Sequence, residues 1–265
     1  MWRVRRAVLV GILAGMMISS PLLVCCQEPG AAAPAPAGRS EKLDLGYVTP
    51  EATLAAVVQP RRVLTAPGME MLPIEVISAA GKKELGFDPL QIEQIVLVLV
   101  APQAGQPPQA GVAVRFAGPI DMKAKVLQEL SQRTVEGDWE GKPYRKGAGP
   151  MDPSIFQPDE RTLLVAHDGL LRSMVANRAK PAEGPVSRLL GAMEGSPDFA
   201  AALAFEPIRE LLSAQLREVP PPFAMLGVDK IPDLVSSVEA RVNLTGATAM
   251  SLTVRAKDEA AAKEL

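Results

Sequence analysis

Residues Ile92–Val100 read IEQIVLVLV, and residues Gly111–Ala117 read GVAVRFA. β-branched and aliphatic residues fill both stretches, as buried strands require. Between them lies PQAGQPPQAG, a polar stretch rich in proline and glycine that has no helical potential and must turn the chain. The pair therefore predicts two adjacent strands of a sheet. The unbroken apolar end of Ile92–Val100 predicts a strand buried on both faces.

Working outward, Leu54–Val58 is a short apolar run closed by Pro60, a third strand. Leu72, Val76, Ala79, Ala80 and Leu85 recur at helical spacing across Met71–Leu85, with Gly86 as the stop. Asp121 is placed to cap a helix over Met122–Gln132, where Met122, Val126, Leu127 and Leu130 share one side. Trp139–Lys146 (WEGKPYRK) predicts a hairpin turning near Gly141–Lys142, and Arg161–His167 (RTLLVAH) another strand. Asp168 caps a helix over Gly169–Asn177, and Gly147–Glu160 reads as a loop. The fold class is α+β, and the order of its first six elements, β-α-β-β-α-β, is that of ferredoxin-like modules.

Three blocks recur in order. Ala55–Leu64 (AAVVQPRRVL) matches Ala202–Leu211 (ALAFEPIREL), Leu85–Asp88 (LGFD) matches Leu226–Asp229 (LGVD), and Val112–Arg115 (VAVR) matches Leu252–Arg255 (LTVR). The sequence thus predicts a duplication. A first α+β module spans 45–183 and a second 184–265, the second lacking the closing strands and helix of the first. Tyr47–Val48–Thr49–Pro50, the PRRVL run, EVISAAGKKELGFDP and the GKPYR hairpin resemble secreted or lipoprotein-like bacterial proteins built from tandem α+β modules. That resemblance implies export and tandem modules, and it brings no activity or catalytic residue with it.

Arg3, Arg5 and Arg6 precede an uncharged, mostly apolar run over Ala7–Val24, the n-region and h-region of an export signal. Eighteen residues are also near the minimum length for a membrane-spanning helix. Residues 1–26 are thus a signal peptide or a membrane anchor. Cys25 and Cys26 follow at once, and neighbouring cysteines cannot staple a fold. Leu22–Leu23–Val24–Cys25 resembles the lipobox of bacterial lipoproteins, which makes Cys25 and Cys26 lipidation candidates beside a cleaved signal or a signal-anchor. Residues 27–44 form an Ala/Pro-rich linker of extended, semi-stiff character.

Without residues 1–26 the chain holds 25 basic and 30 acidic residues, net −5. A mildly acidic chain offers no basic stripe to replace the counterions of a nucleic acid. The lone histidine, His167, finds no nucleophile motif to serve, and zinc would require further His or Cys ligands. Gly137–Lys142 (GDWEGK) is one residue short of a phosphate loop, with Pro143 where a Ser or Thr must bind magnesium. Gly147–Ala148–Gly149 lacks the third glycine of a dinucleotide fingerprint, so no cofactor and no metal are expected. Asp152, Asp159 and Glu160, with Asp168 behind them, are the candidates for a carboxylate pair of a hydrolase. Trp139, Lys142, Tyr144 and Arg145 are the candidates for a ligand platform, for a glycan or a protein partner, unless Trp139 and Tyr144 pack across their hairpin. The function expected is that of a non-catalytic cell-envelope binding or scaffold protein, membrane-tethered or periplasmic. Its alternatives are a carrier of an apolar ligand such as a lipid and a carboxylate-based hydrolase.

Overall fold

The structure, a computed structural model, describes residues 43–102, 107–216, 228–244 and 249–264. All of them belong to the compact unit Arg39–Leu265. The leader with Cys25 and Cys26, and nearly all of the linker, lie outside the described residues. The strands are β1 (Ala52–Val58), β2 (Ile92–Val100), β3 (Gln109–Phe116), β4 (Thr134–Trp139) and β5 (Lys142–Gly147). They continue with β6 (Ser154–Asp159), β7 (Thr162–Ala166), β8 (Phe199–Ala204), β9 (Val235–Asn243) and β10 (Ala249–Ala256). The helices are α1 (Pro60–Leu64), α2 (Ile74–Glu84), α3 (Lys125–Ser131), α4 (Asp168–Ala179), α5 (Pro185–Gly191), α6 (Arg209–Leu216), α7 (Ile231–Leu234) and α8 (Glu259–Glu264). All ten strands join one sheet in the order β10-β9-β8-β1-β2-β3-β7-β6-β5-β4, and the pairings are antiparallel throughout.

The α+β class holds, but the strand order departs from a ferredoxin-like module. Such a module inserts its third strand between the first two, which then run parallel. Here β1 pairs directly and antiparallel with β2, and β3 takes β7 as its second neighbour. The physical reason lies in the connection. α1 and α2 leave and return at the same end of the sheet, so the chain re-enters beside β1 in the opposite direction. The expected loop Gly147–Glu160 also contains β6, whose Ser154, Ile155 and Phe156 are buried. Its ladder shifts register between Phe156 and Asp159, where Pro158 withholds an N–H.

At the centre, β1 and β8 pair with Ala55 opposite Ala202. These two are also matched by the first recurring block, at an offset of 147 residues. Around that pair the neighbours match in turn. Val57 opposes Val96 as Ala204 opposes Ser237, an offset of 141 between Val96 and Ser237. On the next strands Leu97 opposes Val112 and Val238 opposes Val254, an offset of 142. The letter match of VAVR with LTVR is thus two residues out of register, which leaves each side chain on its own face. The proposed division between 183 and 184 falls between α4 and α5, and the strands of both parts share one sheet.

One face of the sheet is closed. Ala55, Val57, Val96, Val98, Ala113, Leu164, Ala200, Ala202 and Ala204 are buried there, beneath Leu170, Leu171 and Met174 of α4 and Val186 and Leu190 of α5. Gly184 lets α5 start hard against the chain before β1, since a Cβ would stand 2.2 Å from the Pro50 carbonyl oxygen.

Gly86 has φ +88 and abuts Ala124 and Lys125. It ends α2 in a left-handed residue, and its N–H reaches the Gly81 carbonyl at 3.2 Å. Asp88 then accepts from Ser78 Oγ at 2.6 Å and from the Leu90 N–H at 3.0 Å, with Lys82 Nζ at 3.2 Å. Burial alone would push this carboxyl up, but the Ser78 and Leu90 hydrogen bonds and Lys82 hold it below the ordinary carboxylate value. A depressed folded value means stability that is full above the unfolded value of about 3.9 and lost as pH falls through the folded one. Asp88→Asn should therefore cost about 1–2 kcal/mol at pH 7. In urea unfolding followed from pH 7 to pH 2, its difference from the parent chain should vanish at the acid end.

Asp198 is fully buried at the start of β8. It pairs with Arg62 Nε of α1 at 2.9 Å and accepts the Leu244 N–H at 2.6 Å. Gln59 Nε2 donates to Ser196 Oγ at 2.8 Å and to the Pro197 carbonyl at 3.0 Å beside it. This network ties α1 to β8 and to the end of β9. Arg62 keeps a third of its side chain in water, so the loss on Asp198→Ala stays below that of a fully buried pair, about 2–3 kcal/mol. The measurement is a lowered urea midpoint with an unchanged m-value.

Candidate functional site

The hairpin platform is placed as follows. Glu140 and Gly141 both have positive φ, 56° and 76°, as a two-residue hairpin turn requires. Tyr144 is 4% exposed, so its ring belongs to the core. Its hydroxyl donates to the Asp168 carboxylate and lies 3.1 Å from Ser154 Oγ. Trp139 packs edge-on to Tyr144 with centroids 6.0 Å apart and lies 5.0 Å from Phe156. The Arg172 guanidinium sits 5.2 Å from the Trp139 ring centroid. Lys142 reaches the Pro158 carbonyl at 3.4 Å, and Arg145 pairs with Glu136 at 3.0 Å. The aromatic pair is thus spent on packing across the hairpin, while Lys142 is exposed and Arg145 half-buried, and alternation along β5 puts the two basic groups on opposite faces.

His167 accepts the Ala110 N–H on Nδ1 at 3.3 Å, which places its own proton on Nε2. It ends β7 as the N-cap residue of α4, while Asp168 stands in that helix's first turn and pairs with Arg172. Asp121 likewise serves a turn, accepting from the Lys123 N–H at 2.8 Å, and Ala124 is the N-cap of α3. Asp152 accepts the Gly149 N–H at 3.1 Å. Asp159 and Glu160 line a cleft together, but both are exposed. Among the described residues no three His, Cys, Asp or Glu side chains converge as a metal site.

That cleft, about 410 Å³, opens between β2, β3, the β6–β7 turn and the segment before β1. A chain of alternating charges crosses it. Arg178 pairs with Asp44, and Arg115 bridges Asp44 at 3.5 Å and Glu93 at 3.4 Å. Arg161 holds Glu93 through both carboxylate oxygens at 3.0 Å and donates Nε to the Phe116 carbonyl. Gly46 leaves room for Arg178, whose Nη1 would stand 2.4 Å from a Cβ there. Tyr47 lies in the wall with the Arg178 guanidinium 5.3 Å from its ring centroid. Burial pushes its phenol up and the Asp159 and Asp44 charges add to this, against Arg178 and Arg115. Sequence reading missed this cleft because its charges come from five separate segments with no common spacing.

A second feature is larger and apolar. The face opposite α4 and α5 carries Leu54, Ala56 and Val58 on β1, with Leu97 and Leu99 on β2 and Val112 on β3. It continues through Phe199, Ala201 and Leu203 on β8, Val238, Ala240 and Val242 on β9, and Met250, Leu252 and Val254 on β10. No charged residue stands among these positions, and none of them is buried. Its far end is capped by α3, which covers Ile92, Phe116, Ile155 and Leu163 through Leu127. The reading of β2 as buried on both faces is corrected here. Val96, Val98 and Val100 are buried, while Leu97 and Leu99 are not. Its hydrophobic run marks two different surfaces.

No family model matches the chain, and no curated protein matches it. Among solved structures it is similar to crystal form III of TP0453, at TM-score 0.46 and 11% identity over 82% of this chain and 80% of that one. Crystal form IV of TP0453 gives TM-score 0.46 and 11% identity over 82% of each.

The cleft's guanidinium groups are matched by carboxylates, so inorganic phosphate should not raise the thermal midpoint beyond an equal ionic strength of chloride. Combining Asp44→Asn with Glu93→Gln should unmask Arg115, Arg161 and Arg178 and create a phosphate-dependent rise of a few degrees.

Proposed function

We propose that this chain is a non-catalytic binding or scaffold protein of the cell envelope, and that the open apolar sheet face receives its partner. The observation that carries this reading is that face: aliphatic positions over β10, β9, β8, β1 and β2, without a charge and without a covering helix among the described residues. Its residues are half-buried on β9, β8, β1 and β2 and exposed at Met250, Leu252 and Val254 of β10, and a contiguous apolar surface that water still reaches marks an interaction site. A flat sheet face shields a ligand from water on one side only. It therefore suits a protein partner with an apolar surface of its own better than a single acyl chain, which needs an enclosing pocket. The carrier reading is favoured by one observation, the uncharged and almost wholly aliphatic character of the face.

Two further expectations stand as proposals. Residues 1–26 export the chain and hold it at the membrane, supported by the Arg-rich start, the apolar run and Cys25–Cys26. The envelope part is a duplicated α+β unit, supported by the matched registers around Ala55 and Ala202. Against catalysis stands the exposure of Asp159 and Glu160, the two candidate carboxylates that share a cleft.

A photo-crosslinking side chain placed at Leu97 or Leu203 in cells should yield a discrete protein adduct, with none from Glu140 on the hairpin tip. Ala56→Lys should abolish that adduct while leaving the unfolding free energy in urea within about 1 kcal/mol of the parent. If the face instead gives no protein adduct and binds a fluorescent fatty acid stoichiometrically, the carrier reading replaces this one.

A further inference from the structure

The sheet ends in two edges of different character. β4 carries Glu136 and Asp138, with Glu140 beyond them, and so presents acidic side chains of the kind that keep an exposed edge from pairing. β10 (AMSLTVRA) has no acidic residue and no proline, and its single charge, Arg255, is held by Glu239 on the neighbouring strand. Along β10, Met250, Leu252 and Val254 are 76%, 62% and 48% exposed. Among the described residues β10 pairs with β9 alone. Its counterpart in the other half, β3, is closed by β7, which sets Val165 opposite Val112 and Leu163 opposite Val114. The position of β10 thus calls for an antiparallel strand with aliphatic residues at alternate positions.

β10 itself is such a strand. We propose that two copies of this chain join β10 to β10 across a two-fold axis, continuing the sheet from one copy into the next. Residues directly opposite in an antiparallel pair share a face, so the axis must pass through a residue rather than between two. Otherwise the apolar face of one copy would meet the polar face of the other. An axis at Leu252 sets Leu252 against Leu252 of the second copy, Met250 against Val254, Ser251 against Thr253 and Ala249 against Arg255. Apolar meets apolar at Leu252 and at Met250–Val254, polar meets polar at Ser251–Thr253, and Arg255 meets the small Ala249 with no like charge opposite it. The two Arg255 side chains stand about 20 Å apart along the strands, at roughly 3.4 Å per residue, beyond a Debye length of about 8 Å. The interface is isologous, so it closes at two copies. The same geometry exists inside the chain, where Ala55 of β1 opposes its counterpart Ala202 of β8.

Cysteine pairing in the full chain carrying Cys25→Ser and Cys26→Ser tests the register. Leu252→Cys should give a disulfide-linked dimer under mild oxidation. Met250→Cys and Val254→Cys should each give little alone and a cross-linked dimer when mixed. Leu252→Lys, added to that mixture on both chains, should reduce the cross-link at least tenfold. Using Leu252→Lys on one chain and Leu252→Glu on the other should restore it. The proposal is overturned if Leu252→Cys cross-links no better than Val135→Cys on β4. It is also overturned if β10 cysteines pair instead with Val135→Cys, since that contact joins unlike edges and grows without closing.

Discussion

The seam between β1 and β8 is the constraint on which the rest of the molecule depends. Those two strands lie far apart in sequence, yet they pair at the centre of the sheet, Ala55 against Ala202. Alanines along β8 and at Ala55 keep the closed face shallow there, so that α5 lies close with Val186 and Leu190 filling the space. The buried Asp198–Arg62 pair closes one end of the seam, and the Gly184–Pro50 contact brings α5 down beside it. Without this pairing β10, β9 and β8 would be a three-stranded meander and the other seven strands a separate sheet, each with an exposed edge at the seam. With it, the two halves share one core.

From that seam the two faces of the sheet take different roles. α4 and α5 supply the apolar cover for the closed face, and toward β10 this face turns polar. There Glu239, Arg255, Arg241 and Ser251 pair across strands in place of a helix. The opposite face stays apolar at its paired positions from β2 to β10, with Phe199 among the aliphatic residues and no charged pair. On the same two strands, the two sides of the sheet thus differ in chemistry, polar pairs on one and apolar side chains on the other.

The charged cleft near Tyr47 plays a structural part in the same frame. Asp44 caps the Gly46 N–H at 3.1 Å and exchanges hydrogen bonds with Gln94, so the segment entering the domain is tied to β2 before β1 begins. Asn177 of α4 donates to the Gly46 and Val48 carbonyls from the other side. The guanidinium groups around Asp44 and Glu93 are nearly half exposed, so each pair contributes little by itself. Together they fix where the entering segment lies, and with it the first turn against α5.

The sequence by itself determined the α+β class, the runs that become β1, β2, β3 and β7, the Gly86 stop of α2, and the position of the hairpin. Those features are set locally, by side-chain period, by glycine and proline, and by turn chemistry. It also held a signal for the match of the two halves that reaches further than the blocks first compared. Thr49–Pro50–Glu51 stands 147 residues before Ser196–Pro197–Asp198, directly upstream of β1 and β8. Only the tertiary structure decided which strands are neighbours, because a strand's alternation says which faces differ and nothing about what lies beside it. The ferredoxin-like order failed on that point. The burial of Tyr144, the split of Leu97 and Leu99 from Val96 and Val98, and the gathering of Asp44, Glu93, Arg115, Arg161 and Arg178 belong to it as well. Each depends on a contact between residues tens of positions apart, and no local pattern records such a contact.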